Sequence, residues 1–133
     1  MKKADPISTE IIRNAFISIA QDMNAVLIRS AYTPVIYEGK DCVVALLDEK
    51  GEVLGQSSGL PLFLGNLQVC VQETAKMYGW DYFKEGDIFF VNDSFFTGTH
   101  LNDITIFAPI FWNGNLAGFS ASRAHWLDVG GKD

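Results

Sequence analysis

Histidine is scarce in this chain: there are two, His100 and His125, against ten phenylalanines. Cysteine is equally rare, and Cys42 and Cys70 lie far apart in apolar surroundings, which excludes a thiolate metal site of the usual paired spacing. They read as small buried hydrophobes of a reducing compartment, with a disulfide as the lesser alternative. Positive charge is also short. Ten Lys and Arg against sixteen Asp and Glu leave a net charge of -6, which argues against a nucleic-acid partner, since that binding relies on cations neutralising phosphates. No run approaches the ~20 apolar residues of a membrane span. The start, MKKADPISTE, has two lysines but no apolar segment behind them, so no secretory signal is predicted and the cytoplasm is expected. A phosphate-binding loop is missing too: GLPLFLGN has neither the lysine nor the strand–loop–helix setting, so ATP is expected to bind elsewhere. No repeat, low-complexity tract or linker divides the chain, and residues 1–133 read as a single unit.

What is present begins with a long helix. Asp5 suits an N-cap and Pro6 the first helical position, where a missing N–H does no harm. Ile11, Ile12, Ala15, Phe16, Ile19, Ala20, Met23, Val26 and Leu27 recur at three- and four-residue spacing, opposite Glu10, Arg13, Asn14, Gln21, Asp22 and Asn24. That stripe predicts an amphipathic helix covering a core and ending near Arg29–Ser30. Pro34 and Gly39 then break regular structure. CVVALLD and EVLGQSS predict a hairpin turning at Glu49-Lys50-Gly51, and GLPLFLGN a loop. LQVCVQETAKMYGW has helical spacing with Gly79 as its stop. IFFVND reads as a buried strand, and ITIFAPIF and LAGFSASRAHWL as a second hairpin across Asn113-Gly114-Asn115. The expectation is an α+β fold: a long N-terminal amphipathic helix, one further helix and mainly antiparallel hairpins.

Both histidines fall in similar local patterns, GTHLND and RAHWLD, each with an aspartate three residues on. The start of one hairpin strand and the end of its partner lie side by side, and the two runs are about equal in length. His100 and Asp103 should therefore converge with His125 at the open end. Two imidazoles and a carboxylate make a mixed nitrogen/oxygen set; imidazole suits zinc, copper, iron and nickel, and carboxylate extends the range to manganese and magnesium. Set against this, a lone histidine is more often a hydrogen-bonded structural residue, and Asp93 after the strand suits a turn cap. The many aromatics of the second half and the abrupt stop at DVGGKD point to surfaces that meet other protein, and to a piece of something larger.

Three segments, DPISTEIIRNAFISIAQDMNAVLIRSAYTP, GDIFFVNDSFFTGTHLNDITIFAPIF and SRAHWLDVGG, together closely resemble the start of the hydantoinase B/oxoprolinase family. This family includes the large metal-binding subunits of acetone and acetophenone carboxylases and the B-type subunits of ATP-dependent hydantoinases. The resemblance spans nearly the whole chain and implies an amino-terminal portion, or one piece of a split subunit. It implies metal ligands at His100, Asp103 and His125. Asp128 is open between an orienting carboxylate, a fourth ligand and a turn residue, and Asp93 between an outer carboxylate and a turn cap. One departure stands out: members commonly read NDPYxGGTH, whereas NDSFFTGTH has Ser94 for the proline and Thr97 for the first glycine.

The resemblance further implies a multisubunit ATP-dependent hydrolase or carboxylase, inactive as this chain alone. An actin-like ATPase subunit of the hydantoinase A type would bind ATP and activate the carbonyl of a small cyclic amide or ketone. The remainder of the B-type subunit would complete the site around a divalent manganese, zinc or iron ion. Two other readings stand beside it. The same ligand types form the facial triad of non-haem iron oxygenases, although too few strands precede the first ligand for the fold that usually carries it. A non-catalytic assembly module is the other.

Overall fold

The computed structural model of the chain describes residues 5–59, 63, 65–97 and 100–131. The first helix, α1 (Pro6–Ser30), starts as its sequence predicts: the Asp5 carboxylate accepts from Ser8 N at 3.0 Å and Ser8 Oγ at 2.8 Å, with Pro6 in the first turn. A short helix, α2 (Pro34–Tyr37), follows where only a break was expected. Pro34 occupies its first turn and Thr33 Oγ1 accepts from Val35 N, so a residue that ends helices here begins one.

Strands β1 (Cys42–Asp48) and β2 (Val53–Gln56) form the first hairpin, and α3 (Asn66–Tyr78) ends before Gly79 as its pattern indicates. A 3-10 turn at Trp80–Tyr82 leads to β3 (Phe89–Val91), and β4 (Asp103–Trp112) and β5 (Asn115–His125) form the second hairpin. Its two-residue turn places Asn113 at φ 50° and Gly114 at φ 77°, the positive angles that a tight hairpin needs and Asn-Gly supplies. The predicted loop GLPLFLGN lies partly outside the described residues; within it, Phe63 is buried.

The strands form one antiparallel sheet in the order β2-β1-β5-β4-β3. Side chains alternate between faces. One face carries Val43, Ala45, Leu47, Phe107, Phe119 and Ala121 and packs against Leu67, Cys70, Val71 and Ala75 of α3, with Phe63 and Phe83. Across the opposite face, Cys42 and Ala124 meet Ile36 of α2 and Leu27 and Ile28 of α1. Gly55 lets α1 approach β2 closely: a Cβ there would stand 2.6 Å from the Phe16 carbonyl carbon. The fold is α+β.

Two expectations change. The α1 stripe does not cover a core along its length: Ala20 is its buried residue, while Ile7, Ile11, Ile12, Ile19 and Val26 are exposed. The helix meets β1, β2 and α2, and its apolar residues beyond those contacts find no cover from the described residues. IFFVND is not a buried strand either. It supplies three residues at the sheet edge, with Ile88 and Phe90 exposed on its flank. Among the described residues no helix is long and apolar enough to cross a membrane.

Candidate metal centre

At the end of the sheet remote from the Asn113-Gly114 turn, the core face turns polar. Successive pairs of the β4–β5 ladder on that face are Phe107↔Ala121, Thr105↔Arg123 and Asp103↔His125. Period-two alternation thus carries one face from a dry aromatic core to a buried guanidinium, and then to an imidazole–carboxylate pair. Asp103 is almost wholly buried and His125 half-buried, and Nδ1 of His125 lies 2.9 Å from Oδ1 of Asp103.

His100 joins them through a tight turn. Its backbone N–H donates to Asp103 Oδ2 at 3.1 Å, and Asp103 N donates to His100 O at 3.1 Å. Its ring faces that of His125, centroids 5.8 Å apart and planes at 87°. The strand ends are tied beyond the last ladder pair: Asn102 Nδ2 donates to Trp126 O at 2.7 Å, and Trp126 N donates to Asn102 O at 2.8 Å. His100, Asp103 and His125 are thereby brought together. Asp93 and Asp128 each cap a turn. Asp93 Oδ1 accepts from Phe95 N at 2.9 Å and Phe96 N at 3.2 Å, and Asp128 Oδ1 accepts from Gly130 N at 2.8 Å.

The structure adds a residue that no motif marked. Asp41 precedes β1, and its carbonyl accepts from His125 N at 3.0 Å, extending the β1–β5 pairing by one step. Its Oδ1 is buried without a hydrogen-bond partner among the described residues. Burial pushes the Asp41 carboxyl above its ordinary value; His125 and His100 pull it back down and Asp103 raises it further, which places all four groups in one electrostatic neighbourhood. The signal in the sequence was slight, since Asp41 becomes a neighbour of His125 only through long-range strand pairing. Beside it, burial and then Asp41 raise the Cys42 thiol, keeping it protonated and unreactive. Cys70 is raised by burial as well, and both cysteines are free.

Among the described residues, no group of three or more His, Cys, Asp and Glu side chains is already arranged to hold a metal ion. The donor types nonetheless suit one. Imidazole nitrogen and carboxylate oxygen bind such ions at about 2.0–2.2 Å, and with Nδ1 of His125 engaged by Asp103 Oδ1 at 2.9 Å, Nε2 is left as the donor of that ring. Two rings bound to one ion through single nitrogens have centroids up to about 6.4 Å apart, and these stand at 5.8 Å. The bare Asp41 oxygen is the kind of buried acceptor that a cation would satisfy.

Comparison with known proteins identifies the family. The family model described as hydantoinase B/oxoprolinase matches residues 5–133. The 5-oxoprolinase of Saccharomyces cerevisiae is 36% identical over 129 residues, covering 96% of this chain and 10% of that protein. A nucleotide-free acetone carboxylase structure superposes with a TM-score of 0.83 at 25% identity, over 95% of this chain and 17% of the other. The ATP-dependent caprolactamase of Pseudomonas jessenii gives 0.79 at 27% identity, over 98% of this chain and 22% of the other. The chain therefore spans a quarter or less of the length of these relatives. With the match running through the β4–β5 hairpin and both histidine motifs, the chain belongs to the hydantoinase B/oxoprolinase family.

Proposed function

We propose that this chain, residues 1–133 as a single unit, is the metal-holding amino-terminal portion of the B-type subunit of an ATP-dependent amidohydrolase or ketone carboxylase. The observation that carries the reading is the meeting of His100, Asp103 and His125 at the open end of one hairpin, with an Asp41 oxygen that has no partner among the described residues beside them. These residues hold a divalent manganese, zinc or iron ion, with Asp41 joining the ligand set. A bound divalent ion supplies Lewis-acid polarisation of a carbonyl or phosphoryl oxygen. Asp103 has two tasks: it offers an oxygen to the ion and orients the His125 ring through Nδ1. Burial of Asp103 keeps water from competing for that contact. Asp93 and Asp128 stabilise turns from outside the ligand set, as their backbone hydrogen bonds support.

Relatives named for 5-oxoprolinase, caprolactamase and D-/L-hydantoinase activities support a small cyclic amide substrate, and the acetone carboxylase likeness supports a ketone. ATP is bound by an actin-like partner subunit of the hydantoinase A type, which activates the carbonyl, and the remainder of the B-type subunit completes the pocket. The chain alone turns nothing over. Two free, buried cysteines suit a reducing cytoplasm. Purified protein incubated with Mn2+, Zn2+ or Fe2+ and desalted should retain about one ion per chain by elemental analysis, the ion count of a single mixed-ligand site. His100→Ala and His125→Ala should each abolish retention; undiminished metal in both would overturn the reading.

A further inference from the structure

Arg123 is 1% exposed and sits one ladder pair inside the histidine cluster. Its described hydrogen bonds go to three neutral oxygens: Nε donates to Thr105 Oγ1 at 2.7 Å, and one terminal nitrogen donates to Thr97 O at 2.8 Å and Thr97 Oγ1 at 3.2 Å. The guanidinium carbon lies 5.9 Å over the Phe63 ring. The other terminal nitrogen is buried with no partner among the described residues.

A permanently charged group is costly to bury, and an apolar residue of similar volume often serves stability as well or better. The bonds made here have one geometric consequence. Thr105 belongs to β4, while Thr97 closes the turn whose carbonyl end is Asp93, with Thr97 N donating to Asp93 O at 3.1 Å. Thr97 is three residues before His100, and His100 is itself tied to Asp103 from the other side. His100 is thus tied to the strand through Asp103, and Thr97, three residues before it, is held by Arg123. Thr97 also stands where the NDPYxGGTH pattern has its first glycine. Its hydroxyl gives Arg123 an acceptor that glycine lacks.

We propose that Arg123 is a positioning residue: clamped on Thr97 and Thr105, its guanidinium fixes Thr97, three residues before His100, and so sets where that ring stands relative to His125. The consequence for metal binding rests on the reading of the cluster given above; the consequence for the loop does not.

The test uses the purified protein with two readouts: Mn2+ affinity by spin-resonance titration, and amide hydrogen exchange of the peptide from Phe96 to Asp103 without metal. Arg123→Met should weaken Mn2+ binding by about tenfold, the lower end for partners that act through a ligand. Loop exchange should quicken severalfold while exchange in α3 stays unchanged. Thr97→Val, which keeps the volume and removes one acceptor, should move both readouts the same way by less, and Thr97→Ser should restore both. If Arg123→Met fails to fold, the Val/Ser pair at Thr97 decides. Unchanged loop exchange in Thr97→Val and in any folded Arg123 variant overturns the clamp. Quickened exchange with unchanged Mn2+ affinity overturns its effect on the His100 ring. If wild type binds no Mn2+, the metal reading fails, and loop exchange alone still decides the clamp.

Discussion

The two ends of the β4–β5 ladder are built on the same face of the same sheet and do opposite work. Near the Asn113-Gly114 turn, Phe107 and Phe119 are buried against Phe83, with Phe83 and Phe119 ring centroids 4.9 Å apart in an edge-to-face contact. At the open end, the positions two and four residues beyond the Phe107↔Ala121 pair hold Thr105 and Arg123, then Asp103 and His125. Alternation guarantees that a face once committed to the core stays on that side, so the polar groups are carried into a desolvated place that a loop would not give them. The first end supplies stability and the second uses it: buried polar groups without partners among the described residues, such as Asp41 Oδ1 and one Arg123 nitrogen, are sustained by the packing next door.

The sharpest way to break this division is to exchange the damage. Phe119→Ala should lower unfolding free energy by about 3–5 kcal/mol, the range for removing a fully buried phenylalanine. Denaturant titration measures it, and metal affinity per folded molecule should be unaltered. If metal binding fails in the folded fraction, the two ends are one cooperative unit. The mirror experiment is His125→Ala: metal affinity should fall by at least about 100-fold, the upper value for disturbing a site's outer partners and so a floor for losing a ligand. Metal-free stability should change far less than in Phe119→Ala.

Much of this layout was legible in residues 86–128, because the hairpin is local and its turn is coded by two adjacent residues, Asn113 and Gly114. Counting equal lengths back from that turn brings Asp103 to within one residue of His125, and a bulge between Ile110 and Phe111 supplies the last step that sets the two opposite each other. What was not legible depended on distant pairing. Asp41 joins the site only because β1 docks antiparallel on β5, and nothing within YEGKD announces that. The burial of Arg123 follows from its period-two neighbours Ala121 and Phe119, which lie in the core. The α1 stripe was read correctly as a helix and wrongly as covered, since periodicity reports which face is apolar but not what lies against it.

Asp41 offers a subtler contrast, because its cost and its use should separate with pH. Its folded carboxyl titrates above the ordinary value of 3.8, chiefly through burial. A carboxyl with a raised folded pKa favours the fold fully below its unfolded pKa, and that contribution is lost as pH rises through the folded pKa. In chelator, Asp41→Asn should therefore match wild type in acid and melt at a higher temperature near pH 7. The same substitution should weaken metal binding by about tenfold. A lower melting temperature at neutral pH would mean that the Asp41 oxygen has a partner in the metal-free protein.

The smallest effect is expected where the site is furthest away. Gly114 has φ 77°, in the left-handed region, and a Cβ there meets no atom within 4 Å, so Gly114→Ala is opposed by backbone conformation alone. That strain is about 1 kcal/mol. It should appear in denaturant unfolding and in faster amide exchange around Trp112 and Asn115. Register at the open end should survive, because β5 is held independently by β1 from Cys42↔Ala124 to Asp48↔Gly118. Metal affinity should then equal wild type. Were it to fall in step with hairpin stability, the turn rather than β1 would be setting the alignment of Asp103 with His125, and the open end would depend on local hairpin strength instead of the whole sheet.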